Sequence, residues 1–258
     1  MEFDILIVGV ALVVGILVGL TGVGAGAVMT PVLVAGFAVP LPVAIATDLL
    51  FATFTKMFGS IFHHRNGAID WRLSGKLWLG SIPGTIVGIV LVLFFVSRSS
   101  TEWLMWPLAA VVLITAISLA KRAISPKTVT ATTPASTSRF ARAIPAAGGF
   151  GIGSAVALTS VGAGVLGMAL LVRISPPDTP PQKLVGTDLV HAIPIALIAG
   201  VAYGIAGLVE WGLLATMLIG SLPGVSIGSI FSKNAPARLL KGILAVMLML
   251  AVILLVTK

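Results

Sequence analysis

Ten apolar segments separated by short polar loops run the length of this 258-residue chain. At an α-helical rise of about 1.5 Å per residue, about 20 apolar residues cross the roughly 30 Å hydrocarbon layer of a bilayer. Inside that layer the backbone must satisfy its own hydrogen bonds, which favours helices. The sequence therefore predicts an all-α polytopic membrane protein embedded in a lipid bilayer. The segments cover roughly residues 4–20, 26–39, 42–62, 75–96, 103–120, 144–158, 164–174, 184–208, 212–231 and 237–257.

The composition agrees with a membrane environment and removes several classes of function. Hydrophobic residues make up 58% of the chain and charged residues 9%, which is more apolar than a soluble domain requires. The net charge of +8 lies in loops and forms no basic stripe with interleaved aromatic residues, so we expect no nucleic-acid partner. The absence of cysteine excludes thiolate and iron–sulfur sites, and three scattered histidines predict no metal site; we expect no cofactor.

The two halves of the chain carry the same motifs in the same order. We therefore predict a first repeat over residues 1–120, a linker over residues 121–143 and a second repeat over residues 144–258. The matched motifs are Thr21-Gly22-Val23-Gly24-Ala25-Gly26 with Thr159-Ser160-Val161-Gly162-Ala163-Gly164, Thr47-Asp48-Leu49 with Thr187-Asp188-Leu189, Asp70-Trp71 with Glu210-Trp211, Gly80-Ser81-Ile82-Pro83-Gly84 with Gly220-Ser221-Leu222-Pro223-Gly224, and Gly88 with Gly228.

Segment lengths predict that the two repeats have inverted topology. The first two segments of each half are short, so we expect a Gly-rich broken or re-entrant helical hairpin that returns to its starting side. Three transmembrane helices then follow in each half. Because three is an odd number of crossings, the second repeat begins on the opposite side of the membrane from the first.

Loop charges predict the same inversion, because Lys and Arg concentrate on the cytoplasmic side. The linker has five basic residues and no acidic neighbour, so we place it in the cytoplasm and both termini on the non-cytoplasmic side of a bacterial inner (plasma) membrane. Matching loops differ in charge: the loop over residues 63–76 is basic, whereas its counterpart near Glu210 has no basic residue. The basic residues are Lys121, Arg122, Lys127, Arg139 and Arg142 in the linker, Arg65, Arg72 and Lys76 around the first loop, and Lys233, Arg238 and Lys241 near the end of the chain.

The two Gly-rich motifs are the predicted substrate-binding site. A helix that begins after a glycine break presents free N–H groups and a positive dipole end, which suits an anion. Two inverted copies would bring two such ends together near the membrane midplane. The alternative is close helix packing through small residues. The predicted substrate-binding residues are Thr21, Gly22, Val23, Gly24, Ala25, Gly26, Thr159, Ser160, Val161, Gly162, Ala163 and Gly164.

Ionisable residues within the apolar segments form a second set of candidates. An ionisable group at membrane depth usually faces a cavity, a partner or a proton path. Asp48 and Asp188 are therefore assigned to substrate or proton coupling, with loop capping as the alternative. Lys56 either meets Asp48 or an anion, or extends to the interface, and His191 either exchanges protons with Asp188 or packs. The full set of coupling or substrate-contacting candidates is Thr47, Asp48, Lys56, Thr187, Asp188 and His191.

Several of these motifs resemble the sulfite exporter TauE/SafE family, a group of small bacterial permeases with duplicated halves. The resemblance covers nearly the whole chain, although Asp48 and Asp188 stand where many members have Ser or Asn. The motifs that carry it are Gly19-Leu20-Thr21-Gly22-Val23-Gly24-Ala25-Gly26 leading to Pro31, Ala46-Thr47-Asp48-Leu49, Gly67-Ala68-Ile69-Asp70-Trp71, and Pro83-Gly84 with Gly88.

The resemblance implies a secondary transporter, commonly an exporter, of small sulfur-containing anions such as sulfite or the organosulfonate sulfoacetate, with no ATPase partner. Protons are the expected coupling ion, since the intramembrane candidates are Asp and His. A passive anion channel or an uptake permease for another small anion is the alternative. No polar cluster typical of catalysis is apparent, so we do not expect an enzyme. The sequence predicts no particular oligomeric state.

Overall fold

The computed structural model describes residues 5–21, 26–65, 67–96, 102–124, 139–176 and 178–231, with a few isolated positions between 242 and 253. Within these ranges the secondary structure is helical and contains no strand, which confirms the predicted all-α class. A short 3₁₀ turn, Glu102–Leu104, precedes the fifth helix. The helices are α1 Ile5–Thr21, α2 Gly26–Phe37, α3 Leu41–Arg65, α4 Trp71–Val96, α5 Met105–Ile124, α6 Arg139–Thr159, α7 Val165–Ile174, α8 Pro181–Ile205 and α9 Trp211–Phe231.

Helix boundaries follow the predicted segments closely, with two differences. The helices α5 and α6 extend into both ends of the predicted linker, so four of its five basic residues lie on helical turns and Lys127 lies outside the described residues. The third helix continues to Arg65, beyond the end of the predicted segment at residue 62, so His63 and His64 belong to its last turn rather than to a loop. Most of the tenth predicted segment lies outside the described residues.

Four helices in the described part of the chain are long and apolar enough to cross a membrane: Leu41–Ile61, Trp71–Val96, Gln182–Ile205 and Trp211–Gly228. The prediction was six long crossings. The apolar part of α5, Met105–Ser118, is shorter than these four helices and too short to be counted with them. At about 1.5 Å per residue, the 12-residue α2 and the 10-residue α7 are too short to cross a bilayer of about 30 Å. Both helices correspond to segments that the sequence predicted to be short.

The matching helices α3 and α8 run antiparallel at the centre of the protein. Leu50 of α3 lies beside Gly200 of α8, whose added Cβ would come 2.6 Å from Leu50 Cδ2, whereas Gly59 lies beside Leu189. Residue numbers therefore rise along one helix as they fall along the other. Most of the candidate ionisable residues are carried by this pair.

Two further helix pairs join one half of the chain to the other. The helix α4 packs in parallel on α6, and α1 packs in parallel on α9, so each repeat gives its fourth helix to the first helix of the other. Contact is backbone to backbone because glycines line it, which is how helices approach closely where lipid removes the hydrophobic driving force. The contacts, in order, are Gly80 with Ala146, Gly84 with Phe150, Gly88 with Ser154, Gly220 with Val8, Gly224 with Leu12 and Gly228 with Ile16.

The opposite face of α4 is apolar and exposed. Leu79 is 75% exposed and Val90 is 59% exposed, and Ile86 and Phe94 also lie on the surface. A row of large apolar side chains on an outer helix face is typical of contact with lipid tails. Its packed face therefore carries glycine while its outer face carries large apolar side chains.

We expect Gly84→Ala to destabilise the protein because the new Cβ would lie within 2.9 Å of Phe150 Cα and closer still to the Phe150 carbonyl oxygen. Overpacking of this kind costs about 1–3 kcal/mol. The matched control is Gly75→Ala on the same helix, where no atom lies within 4 Å of the added Cβ. Thermal unfolding of the detergent-solubilised protein measures both. Equal melting temperatures for the two variants would contradict a rigid α4–α6 contact.

Candidate functional site

The second Gly-rich motif forms a break between α6 and α7. Ser160 and Gly162 have positive φ angles of 58° and 110°, so the chain turns sharply after Thr159. Gly162 needs the absence of a Cβ for that conformation. Thr159 Oγ1 accepts a hydrogen bond from the Val161 N–H at 3.1 Å and holds the turn. The second Gly-rich motif therefore interrupts the helix between Thr159 and Val165.

The short helix α7 begins directly after this break. Its first bonded N–H is that of Leu166, which donates to the Gly162 carbonyl at 2.9 Å, and its N-cap Gly164 has no side-chain cap. The start of α7 therefore carries the positive end of the helix dipole and uncapped N–H groups. In the first half, Thr21 ends α1 and Gly26 begins α2, while residues 22–25 lie outside the described residues.

Asp48 receives one hydroxyl group from each Gly-rich hairpin. Thr30 of α2 donates to Asp48 Oδ2 at 2.5 Å, and Ser160 of the α6–α7 break donates to the same oxygen at 2.9 Å. All three residues are buried, and Asp48 has no exposed surface. The structure thus joins the first hairpin, the second hairpin and α3 at a single carboxylate oxygen.

Three other ionisable residues are buried on the same pair of helices, α3 and α8. Lys56, Asp188 and His191 are at most 3% exposed. Lys56 interacts electrostatically with Asp188 and Asp48, and also with His191. Because α3 and α8 are antiparallel, Lys56 lies between the levels of the two carboxylates along the helix axes. Burial excludes the alternative in which Lys56 extends to the membrane interface.

His191 is oriented by the fourth helix. His191 Nε2 lies 3.1 Å from Ser81 Oγ, and the indole N–H of Trp78 donates to the His191 carbonyl at 3.1 Å. The other ring nitrogen of His191 is buried without a hydrogen-bond partner. Asp48 Oδ1 and Asp188 Oδ1 are also buried and unpartnered. The cluster therefore contains three polar atoms available to a substrate or ion.

Thr47 and Thr187 bind the loops of the opposite repeat. Thr47 Oγ1 accepts a hydrogen bond from the Glu210 N–H at 3.1 Å, and Thr187 Oγ1 accepts one from the Asp70 N–H at 2.9 Å. We had considered loop capping as the alternative task of Asp48 and Asp188. In each half the threonine that precedes the aspartate accepts the loop N–H instead. The two carboxylates are therefore not needed to cap the loops.

The repeat comparison missed two polar residues of this cluster. Thr30 corresponds to Met168 in the second half, so no internal match marked it. Ser81 lies within the matched motif that ends in Pro83-Gly84, a motif that can either hinge a helix or pack closely against a neighbour. In the structure α4 continues through Pro83, and Gly84 packs on α6, which supports packing. The sequence feature that could have marked Ser81 is a hydroxyl side chain two residues before Pro83 within an apolar segment.

No group of three or more His, Cys, Asp or Glu residues that is suited to a metal ion occurs in the described part of the chain. The buried cluster instead combines one lysine, two carboxylates and a histidine with three hydroxyl groups. This donor set suits a small charged solute or a proton.

Broken helices around a buried ionisable centre, enclosed by apolar helices, define a polytopic membrane protein of the transporter class. The sequence matches the family described as "Sulfite exporter TauE/SafE" over residues 7–255. The chain belongs to this family, as the motifs predicted, and it is a membrane transporter.

Curated relatives from Bacillus subtilis (strain 168) are similar over almost their whole length. "Probable membrane transporter protein YjnA" is 33% identical over 248 residues, covering 95% of this chain and 96% of the relative. "Probable membrane transporter protein YdhB" is 26% identical over 243 residues, covering 92% and 93%. No solved structure matches the chain.

We expect Thr30→Val to lower the stability of the protein because a buried carboxylate loses a donor while side-chain volume is kept. The expected loss is about 1–3 kcal/mol. Thr53→Val is the matched control, since Thr53 is equally buried but donates only to the Leu49 carbonyl of its own helix. Thermal unfolding in detergent compares the two variants. A melting temperature of Thr30→Val at or above that of Thr53→Val would argue against a stabilising Asp48 junction.

Proposed function

We propose that this protein is a secondary transporter that exports small sulfur-containing anions, such as sulfite or sulfoacetate, across the inner membrane of a bacterial cell. The family description names sulfite export. The buried lysine and the uncapped start of α7 support an anion as the substrate. Proton coupling belongs to the same proposal, and it is supported by buried Asp and His residues on α3 and α8.

The observation that carries this proposal is the junction at Asp48. One oxygen atom of Asp48 binds Thr30 from the first hairpin and Ser160 from the second. Any solute held between the two Gly-rich hairpins would therefore lie against this junction. The two hairpins are the helix breaks that transporters use to build a midplane site, because irregular backbone is tolerated at membrane depth only when protein or a cavity surrounds it.

Anion binding at this place has a consistent charge arrangement. Two hydroxyl donors stabilise the negative charge of Asp48, so that carboxylate does not depend on Lys56 alone. The ammonium group of Lys56 then attracts the anion, and the N-terminal end of α7 adds a partial positive charge. Of the predicted residues 159–164, Gly162, Ala163 and Gly164 would contact the anion through backbone N–H groups, because those of Ser160 and Val161 already donate to Val156 and Thr159.

Inverted repeats and alternating access complete the proposed mechanism. The antiparallel direction of the matching helices α3 and α8 supports inversion, as do the parallel pairs formed by α4 with α6 and by α1 with α9. The glycine contacts make each of those pairs a stiff unit. We infer that access alternates when these units move relative to α3 and α8, while Thr47 and Thr187 release and rebind the opposite loops.

A secondary transporter is favoured over a passive anion channel because the ionisable residues of α3 and α8 are enclosed by protein. A passive channel requires a continuous polar path, whereas Asp48, Lys56, Asp188 and His191 are nearly fully buried. An uptake permease would use the same site in the opposite direction, so direction is tested by the gradients applied. We propose no enzymatic activity.

The first experiment is thermal stabilisation of the purified protein by sulfite, sulfoacetate, taurine, sulfate, thiosulfate and simple carboxylates. We expect selective stabilisation by sulfite or a sulfonate, because a ligand that binds only the folded state raises the melting temperature. The Lys56→Met variant should lose this response. Lys76→Met, in which an exposed lysine is replaced, should keep it. A response that is equal in both variants would refute the anion site at Lys56.

The inverted topology predicts opposite sides for the two matching loops. The chain has no cysteine, so single replacements Ala68→Cys and Ala206→Cys report sidedness without interference. We expect a membrane-impermeant thiol reagent to label residue 206 in intact cells and residue 68 only after permeabilisation. Labelling of both positions from the same side would contradict inversion.

A further inference from the structure

We propose that the two matching aspartates have different tasks, with Asp48 a positioning residue that holds the hairpins together and Asp188 the group that carries one proton with each anion. The inference rests on the proposed transport function and adds the coupling residue and its proton count. Both aspartates occupy the same motif, so the difference arises only from what surrounds each side chain.

The surroundings of Asp48 hold it in a single state. Its Oδ2 atom accepts the hydroxyl groups of Thr30 and Ser160, and a carboxylate is the form that accepts two donors most strongly. If Asp48 gained and lost a proton during each cycle, the bonds that join α2, α3 and the α6–α7 break would weaken each time. Its geometry therefore suits a fixed structural charge.

The surroundings of Asp188 differ in the hydroxyl donors, although Oδ1 of each aspartate is buried without a partner. No hydroxyl group of the described residues donates to Asp188, and its Oδ1 atom is buried without a partner. In the repeat alignment Met168 replaces Thr30. Asp188 Oδ1 instead lies against Gly167 of α7, where an added Cβ would collide with it. The chain thus brings an apolar helix turn against Asp188, and Lys56 is the cation that interacts with it.

The sum of charges shows why an anion would need a proton. Lys56 contributes one positive charge to the buried cluster, and the two carboxylates contribute one negative charge each. A bound anion would add further negative charge where water is excluded, which is costly. A proton from the water on the side of entry binds the Asp188 carboxylate, Lys56 then pairs with the anion, and both proton and anion leave on the other side.

Other titratable groups near Asp188 are few. Lys56 faces it from α3, and His191 lies one turn further along α8 itself. Asp48 interacts with Lys56 further along α3. Among the described residues, α4, α6 and α7 contribute no buried charged side chain, although Ser81 of α4 contacts His191. His191 is the competing proton carrier, and the test includes it.

The first arm of the test needs no substrate. Infrared difference spectra of the purified protein, taken as the pH falls from about 8 to about 4, follow the C=O stretch of a protonated carboxyl group. We expect Asp188→Asn to remove one titrating band that Asp48→Asn and His191→Gln both retain. Loss of that band in Asp48→Asn, or an unchanged spectrum in Asp188→Asn, would overturn the assignment.

The second arm measures transport in proteoliposomes. Sulfoacetate is the probe because its acid groups stay ionised near neutral pH, whereas sulfite itself binds protons there. We expect wild-type protein to accumulate sulfoacetate in response to a pH gradient. The Asp188→Asn variant should accumulate at least ten-fold less sulfoacetate while still exchanging it across the membrane. Asp48→Asn, which still accepts both hydroxyl groups, should respond to the gradient, whereas Asp48→Val should lose exchange and accumulation together.

The outcomes separate this inference from the proposed function. Transport by wild type with gradient-driven accumulation intact in Asp188→Asn, or driven by a sodium gradient instead, would overturn the inference and leave anion transport standing. If wild type moves none of the anions in the panel, the proposed function fails. The infrared arm then decides by itself whether Asp188 is the carboxyl group that exchanges protons.

Discussion

A lipid environment requires the backbone to satisfy its hydrogen bonds inside the protein, and the rest of this structure depends on that requirement. The break after α6 leaves a helix end among apolar helices, so the polar residues around it must meet partners within the protein. They do so at Asp48, where hydroxyl groups from both hairpins share one oxygen atom. The glycine contacts of α4 with α6 and of α1 with α9 bring the halves close enough for this junction to form.

Duplication explains the scaffold of the site better than it explains the chemistry. The threonines at positions 47 and 187 make equivalent bonds to equivalent loops, and the glycine rows make equivalent contacts. Next to each threonine, however, the two aspartates meet different neighbours: Asp48 accepts two hydroxyl groups, whereas Asp188 lies against Gly167. A shared backbone arrangement with different side-chain partners allows one carboxylate to hold structure while the other is available for exchange.

Much of the architecture was predictable because apolar length and motif order are local properties. The start of α9, the short α7 and the break at Gly162 follow from sequence patterns, whereas α4 begins four residues before the predicted segment. The extra turns of α3 beyond residue 62 and the helical ends of the linker were not predicted, because polar residues there end the apolar pattern without ending the helix. Thr30 was missed because the second repeat has Met168 at its place.

By itself the sequence determined the membrane class, the two related halves and the family, since burial in lipid and backbone breaks leave their mark on composition and on glycine spacing. It also marked Asp48, Lys56, Asp188 and His191 as unusual at their depth. Only the tertiary structure decided which of them share partners. That choice depends on α3 and α8 running antiparallel and on Ser160 reaching a residue 112 positions earlier in the chain, contacts that no local pattern encodes.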